Sequence, residues 1–198
     1  VFGNKETGSS HLHFMRTVKK LPLNKNIKVL DAGCGKGKFS FWLSQKYPSI
    51  QIDACDLSEK NIVSCKEYQR HLNTNCNFFI HNLLDFCKPN NYDLIFSNQV
   101  LEHIADNKKV LHNLMLSLKP GGYIYIQIPN ATQNRLFGKK FIDNFNKWEE
   151  NEHIGQDLML SSLASLLENT NCKIQIAKHT SGFWGELSFE LKEMALSY

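Results

Sequence analysis

The sequence lacks the cysteine spacing of a disulfide framework or a zinc site. Its 198 residues include six cysteines, none of them in a Cys-x-x-Cys pair, and several lie within apolar runs. Disulfide frameworks are typical of short secreted chains, and structural zinc sites use closely spaced cysteine pairs. We therefore expect reduced, packed thiols and a reducing compartment, the cytoplasm.

Long apolar runs and clustered basic residues are also scarce. No run approaches the roughly 18 consecutive apolar residues of a membrane helix, and the start of the chain, residues 1–4, is not typical of a signal peptide. The net charge of +4 comes from scattered residues and short pairs such as Lys19-Lys20. Since phosphate contacts need clustered Lys and Arg, we expect neither nucleic acid nor a membrane as a partner.

An initiator methionine is missing, and the chain stops at residues 195–198 without an obvious turn. Both features indicate a fragment of a longer chain. The length predicts a single domain over residues 1–198 with a sizeable core. Residues 1–26 predict an N-terminal helical segment. Its helix would span residues 11–21 and end at Pro22, with Leu12, Met15 and Val18 as the apolar face and His11 on the surface.

The chain does contain a strand, a glycine-rich turn and a helix in succession. Residues 27–30 predict a short buried strand, glycines alternate from position 33 to position 37, and apolar residues recur at helical spacing from Phe39 to Leu43. Such a turn lets a ligand lie against bare backbone N–H groups at a helix N-terminus. Glycine permits φ > 0 there and removes the side chain that would hold the ligand away.

Two residues distinguish this turn from a dinucleotide-binding turn. The Gly-x-Gly-x-x-Gly fingerprint needs a glycine three residues after Gly35, where this chain has Lys38. Asp31 ends the preceding strand, where a carboxylate would repel a pyrophosphate but suit an ammonium or a sulfonium. The turn therefore favours a cationic, phosphate-free nucleoside over NAD.

Strand and helix alternate between residues 27 and 128, with further strands predicted at 50–58, 76–81, 92–98 and 123–128. Ser58 and Asp106 are the predicted N-caps of the helices that follow them. This alternation predicts an α/β fold with a doubly wound, mostly parallel sheet and helices on both faces. Ligands bind such sheets at the carboxyl ends of the strands, beside the switch point. The polar residues predicted at those ends are Asp31, Asp56, Asn82 and Asn98.

The segment from Asp31 to Gly37 resembles motif I of the class I S-adenosylmethionine (SAM) methyltransferases, Asp-x-Gly-x-Gly-x-Gly. Residues 93–104 and 118–122 resemble the fourth motif of that family and the turn before its fifth strand. The resemblance covers about half the chain and implies the Rossmann-like methyltransferase fold, with SAM as cofactor and S-adenosylhomocysteine as product. The cofactor-binding residues that it implies are Asp31, Gly33, Cys34, Gly35, Gly37, Asp56, Leu57, Asn82, Leu83 and Asn98.

In this family an acid at the position of Asp56 accepts from the ribose hydroxyls, and an acid at the position of Asn82 accepts from the adenine amine. Here the amide oxygen of Asn82 could accept the same hydrogen bond without the charge. The family also implies that the N-terminal helix acts as a lid over the cofactor.

His103 is the first candidate catalytic residue. With Gln99 and Glu102 it is predicted to share one helical face at spacing i, i+3, i+4. The set resembles the Glu-x-x-Glu-His metal motif of ubiquinone-pathway O-methyltransferases and of a small-RNA 2′-O-methyltransferase. Gln99 replaces the first carboxylate, so we expect no metal, and His103 would be structural or would face the substrate.

Residues 130–155 predict an insertion that builds the acceptor site. Insertions after the fifth strand do so in the resembled family, and this one combines several aromatic residues with Arg135 and His153. Aromatic walls with a few polar groups suit a small organic or sugar acceptor. His153 is the second candidate catalytic residue, as a general base or acceptor ligand; the alternative is a surface loop.

The sequence therefore predicts methyl transfer from SAM to a small-molecule or sugar acceptor, at oxygen, by in-line displacement. The Asn-Pro-Pro-aromatic motif of enzymes that methylate base nitrogens is replaced by Ser97-Asn98-Gln99-Val100. The alternatives are an RNA or protein methyltransferase and a non-catalytic SAM-binding partner subunit.

The C-terminal part predicts three further elements. Residues 172–177 predict a sixth strand, and residues 187–196 predict either a seventh strand or a helix. The segment 182–185, Gly-Phe-Trp-Gly, predicts a flexible aromatic loop that belongs to the acceptor pocket or to a homodimer contact.

Overall fold

Five parallel strands form one sheet in the computed structural model, which describes residues 9–22, 26–128 and 172–176. The strands are β1 (Lys28–Ala32), β2 (Gln51–Asp56), β3 (Cys76–Ile80), β4 (Tyr92–Asn98) and β5 (Leu118–Gln127). The helices are α1 (Ser9–Val18), α2 (Lys38–Lys46), α3 (Glu59–Gln69) and α4 (Asn107–Ser117), with short 3-10 turns at Leu83–Asp85 and Leu101–His103.

The strand order is β3-β2-β1-β4-β5. The chain proceeds from β1 outward to β3 and then returns to the other side of β1, where it adds β4 and β5. Connections between parallel strands are right-handed, which places α2 and α3 on one face of the sheet and α4 on the other. The predicted doubly wound α/β fold is confirmed. Its switch point lies between the carboxyl ends of β1 and β4.

The contacts within the chain separate two compact units. One unit comprises residues 17–101 and 106–128 and contains the whole sheet. The described residues of the other unit are 9–16, 102–105 and 172–176. The single domain over residues 1–198 and the lid role of residues 1–26 stay predictions.

The central strands are buried on both faces. Val29 and Leu30 of β1 and Leu94, Ile95 and Phe96 of β4 are fully buried. Parallel strands covered by helices on both sides carry continuous apolar runs rather than alternating ones, as these two do. This core fixes the edge of the sheet at which the predicted site residues lie.

Two predicted helix starts have the expected caps. The Ser58 hydroxyl accepts the Asn61 N–H at 3.3 Å at the start of α3, and the Asp106 carboxylate accepts the Lys109 N–H at 3.2 Å at the start of α4. Helix α2 begins differently, directly after Gly37, which has a left-handed backbone with φ of 71° and provides no side-chain cap. The glycine turn therefore runs straight into the helix.

The face of α1 was predicted wrongly. Its buried residues are His11, Phe14 and Val18, whereas Leu12 is exposed. The spacing i, i+3, i+7 is helical, but a histidine occupies a position that the apolar pattern assigned to the surface.

Two predictions about strands also need correction. β5 begins earlier than predicted, at Leu118, which pairs with Tyr92. Residues 119–122 then form an irregularity opposite Asp93 alone, with Gly121 at a positive φ of 80°, before Leu94 pairs with Tyr123. Proline and glycine are tolerated at such an irregularity. Residues 172–176 have no strand pairing among the described residues and are irregular, so the sixth strand is wrong there. The segments 182–185 and 187–196 lie outside the described residues.

A buried acid of β2 contacts side chains from three other strands of the sheet. The carboxylate of Asp53 accepts from the Tyr92 hydroxyl at 2.8 Å and from the Asn77 amide at 3.0 Å, and the Lys28 amine lies 3.4 Å away. Burial raises the pKa of Asp53, but these hydrogen bonds and the charges of Lys28 and Lys88 outweigh it, so the pKa is lowered overall. Asp53 is therefore ionised and depends on its donors.

We expect the substitution Tyr92→Phe to lower the free energy of unfolding by about 1–3 kcal/mol, because it removes a donor from a buried carboxylate. Urea unfolding followed by circular dichroism measures the change. Tyr123→Phe, at a partly exposed tyrosine of β5, is the control and should cost less than about 0.5 kcal/mol. Equal losses in both variants would contradict a special role for the Tyr92–Asp53 contact.

Candidate cofactor site

The glycine turn is held to the end of β2 by its own backbone. The N–H groups of Gly33 and Cys34 both donate to the Cys55 carbonyl at 2.9 Å, and the Gly37 N–H donates to the Cys34 carbonyl at 2.8 Å. The Gly35 N–H donates to a carboxylate oxygen of Asp56 at 2.7 Å. The expectation of bare N–H groups was wrong for these four amides, because β2 supplies the acceptors of three of them and the turn itself supplies the acceptor of Gly37.

The three glycines of the turn have different surroundings, although all have positive φ. A Cβ atom on Gly33 would lie 2.4 Å from a methyl carbon of Val100, and one on Gly37 would lie 2.8 Å from the Phe41 ring. A Cβ on Gly35 would meet nothing within 4 Å. Gly33 and Gly37 are therefore required for packing inside the protein, and Gly35 is the glycine whose missing side chain opens onto free space.

Asp56 is tied to both the turn and helix α3. One carboxylate oxygen accepts the Gly35 N–H, and the other accepts the Ser58 N–H at 2.9 Å and the Asn61 amide at 3.3 Å. A carboxylate has about four acceptor positions. The predicted contact with a ribose therefore has room for one further hydroxyl donor, and a second would displace an existing donor.

Asp31 at the end of β1 lies in the protein interior. It is 2% exposed and accepts from the Ser40 hydroxyl of α2 at 2.6 Å, which ties the helix to the strand. Burial raises the pKa of Asp31 to about 7, although the Ser40 hydrogen bonds lower it. Because so little of its surface is exposed, an effect on a ligand cation would act through the charge of the carboxylate rather than through open contact.

Three predicted cofactor-binding residues lie beyond β2 and β3. Leu57, directly after Asp56, is 70% exposed and presents an apolar surface at the strand end. Asn82 uses its amide oxygen to accept the Leu84 N–H at 3.0 Å, and the Leu83 side chain is buried. An amide oxygen can accept two hydrogen bonds, so Asn82 keeps acceptor capacity, whereas Leu83 could meet a ligand only through its main chain.

Asn98 at the end of β4 is the most unusual polar residue of the site. Its side chain is buried, and within the described part of the chain neither its amide nitrogen nor its amide oxygen has a hydrogen-bond partner. Most buried polar groups in proteins are satisfied, and leaving one unpaired costs about 1–3 kcal/mol. A polar group of a bound ligand would satisfy this amide.

The predicted helical face of Gln99, Glu102 and His103 is not formed. Gln99 has a positive φ of 55°, and only Leu101–His103 make a single 3-10 turn. The His103 ring nitrogen lies 4.0 Å from the Glu102 carboxylate. Across the described ranges, no group of three or more His, Cys, Asp or Glu could hold a metal ion. His153 and the segment 130–155 lie outside those ranges.

Three supporting residues were missed by the sequence reasoning: Ser40, Asn61 and Val100. Ser40 and Asn61 lie in the first turns of α2 and α3, where polar residues are commonplace. Val100 follows β4, and its contact with Gly33 depends on the pairing of β1 with β4. For the contact between Gly33 and Val100, the sequence offered one signal, a glycine directly after the end of β1.

We expect Asp31→Asn to flatten the dependence of stability on pH between about 4 and 7. In this window the buried native carboxyl stays protonated while the unfolded one, with its usual value near 3.8, loses its proton. The native protein therefore loses stability as pH rises, by at most about 1.4 kcal/mol per pH unit for this group.

The measurement is urea unfolding at several pH values, with Asp85→Asn, at an exposed acid, as the control. As pH rises, the Asp31→Asn variant should gain stability relative to the unsubstituted protein. Parallel pH profiles of the two proteins would show that Asp31 has an ordinary pKa.

No helix in the described ranges is long and apolar enough to cross a membrane.

Among known proteins, the chain is 26% identical over 166 residues to malonyl-[acyl-carrier protein] O-methyltransferase 2 of Ilyobacter polytropus, covering 78% of this chain and 64% of that protein. It is 26% identical over 156 residues to the ubiquinone biosynthesis O-methyltransferase of Rickettsia bellii, covering 77% of this chain and 64% of that protein. The chain thus spans somewhat less than two thirds of the length of these relatives.

The solved structure of phosphoethanolamine N-methyltransferase 2 of Haemonchus contortus, in complex with SAM, shares the fold. The TM-score is 0.76 and the identity 19%, covering 98% of this chain and 45% of that one. A family model described as a methyltransferase domain matches residues 23–191, which is most of the chain. The chain therefore belongs to the class I SAM-dependent methyltransferases.

Proposed function

We propose that the chain binds SAM at the carboxyl ends of β1, β2 and β4 and transfers its methyl group to an oxygen of a small-molecule acceptor. The observation that carries the proposal is the open space above Gly35, beside the carboxylate of Asp56. A ligand can approach the backbone there, and the amides of Gly33, Cys34, Gly35 and Gly37 are already engaged. That combination suits a nucleoside without phosphates.

Each predicted residue has a role in this proposal. Asp56 accepts from a ribose hydroxyl, the exposed face of Leu57 packs against the nucleobase, and Asn82 accepts from the exocyclic amine. The buried amide of Asn98 hydrogen-bonds to the amino-acid end of the cofactor. The main chain of Gly33, Cys34, Gly35, Gly37 and Leu83 shapes the surface. Above its raised pKa of about 7, Asp31 supplies negative charge from the interior.

When bound, SAM supplies a methyl group on a positively charged sulfur that a nucleophile can displace. The protein must align the acceptor and exclude water, and it needs a general base only if the acceptor oxygen is a poorly acidic hydroxyl. We propose His153, within the acceptor insertion 130–155, as that base or as an acceptor ligand, and His103 as the second candidate.

The names of two relatives support oxygen as the methylated atom, since both are O-methyltransferases. A small-molecule acceptor and a cytoplasmic location are parts of the same proposal, as is a homodimer through residues 182–185. The RNA or protein methyltransferase and the non-catalytic SAM-binding subunit are alternatives that the following experiments distinguish.

We expect Gly35→Ala to weaken SAM binding by at least about tenfold, equivalent to about 1.4 kcal/mol, because a methyl group would enter the space of the ligand. Isothermal titration calorimetry with SAM, S-adenosylhomocysteine and NAD measures it. Gly121→Ala is a matched control, since Gly121 also has positive φ and nothing within 4 Å of a Cβ. The control should bind SAM normally, and equal losses in both variants would attribute the effect to backbone strain.

With methyl-labelled SAM, we expect label transfer to carboxylic acids, phenols or sugar hydroxyls, independent of salt concentration. With a sugar hydroxyl as acceptor, His153→Ala should lower kcat at least about a hundredfold, because general bases contribute about that much or more. With a carboxylate acceptor it should have little effect on kcat.

Unchanged turnover on a hydroxyl acceptor would remove His153 as the base, and steeply salt-dependent transfer to RNA would favour the RNA methyltransferase. SAM binding without turnover on any acceptor would favour the partner subunit.

A further inference from the structure

Two thiols from distant parts of the chain meet beneath the glycine turn. The Cys34 sulfur lies 3.7 Å from the Gly35 carbonyl oxygen, and the Cys65 sulfur, from helix α3, lies 3.4 Å from the same oxygen. The Cys65 sulfur would also lie 3.1 Å from a Cβ on Gly37. Cys65 therefore packs against the turn at two successive glycines.

The two thiols also interact with each other. A hydrogen bond between them is the largest influence on both groups: it raises the pKa of the Cys34 thiol and lowers that of the Cys65 thiol. The thiolate is the reactive form of cysteine, and this hydrogen bond favours the thiolate at Cys65. Both are free and buried.

We propose that Cys34 and Cys65 form a redox-sensitive pair whose oxidation to a disulfide closes the cofactor site. The oxidant is a peroxide: the Cys65 sulfur attacks one peroxide oxygen and becomes a sulfenic acid, and water or an alcohol leaves. The Cys34 sulfur then displaces the hydroxyl from the Cys65 sulfur, and a second water leaves. Two thiols are thereby oxidised by two electrons, which the peroxide takes up, and a thiol reductant reverses the change.

The disulfide would deform the turn because of its short bond. Sulfurs that now touch one carbonyl must approach to about 2.05 Å, which draws the Cys34 backbone towards α3. A disulfide carries no thiol proton, so neither sulfur could then donate a hydrogen bond to the Gly35 carbonyl. Gly35 is the residue whose open face the proposed function assigns to SAM, so the loss of SAM binding rests on that proposal, whereas the formation of the disulfide does not.

The test uses a background in which the two more accessible cysteines, Cys87 and Cys172, are replaced by serine. The protein is treated with hydrogen peroxide and digested without reduction, and mass spectrometry maps the peptides. We expect a Cys34–Cys65 linked peptide with a mass lower by two hydrogens. SAM affinity measured by calorimetry should fall at least about tenfold and return after dithiothreitol.

Cys65→Ser in the same background should bind SAM normally and keep its affinity after peroxide. Cys76→Ser, at a buried cysteine that contacts the Ser40 carbonyl, leaves the pair intact and should remain sensitive to peroxide. Absence of the linked peptide, or a linked peptide with unchanged SAM affinity, would overturn the proposal. If the reduced protein bound no SAM, the proposed function would fail, and the linked peptide would still decide whether the pair forms its disulfide.

Discussion

The hydrogen bond from the Gly35 N–H to Asp56 is the contact on which the site depends. It joins the turn after β1 to the end of β2, over a separation of 21 residues. The same carboxylate accepts from the start of α3, so three elements meet at one acid. Because the site lies where they meet, its shape follows from the pairing of β1 with β2 rather than from the glycines alone.

The polar groups at the carboxyl ends of the strands differ in how much hydrogen-bonding capacity they have left for a ligand. Asp31 is committed to Ser40, and Asp56 has most of its acceptor positions filled. Asn98 is the opposite case, with a buried amide that the described protein groups leave unsatisfied. The binding energy for a polar ligand is therefore expected at β4, and the β2 side contributes shape and apolar surface through Leu57.

The sequence predicted a helix or strand correctly where one local pattern was enough to determine it. The bounds of β4 and the caps at Ser58 and Asp106 were predicted correctly, because an apolar run and a capping residue are local signals. The early start of β5 was missed, since Pro120 and the glycines after it indicate a turn, and only the pairing of Leu118 with Tyr92 shows that the strand begins before them. In the site, the strand-end positions were predictable, but the partners of the turn amides depend on strand register, which the sequence does not display.

The engaged amides of the glycine turn have a consequence for redesigning cofactor preference. Exchanging Asp31 for a neutral residue would remove a charge that repels pyrophosphate, yet the Gly33 and Cys34 N–H donors would still be bonded to the main-chain carbonyl of Cys55. An engineer who wished to install a dinucleotide here would have to rebuild the main-chain path between β1 and α2, so side-chain exchange alone would leave the preference unchanged.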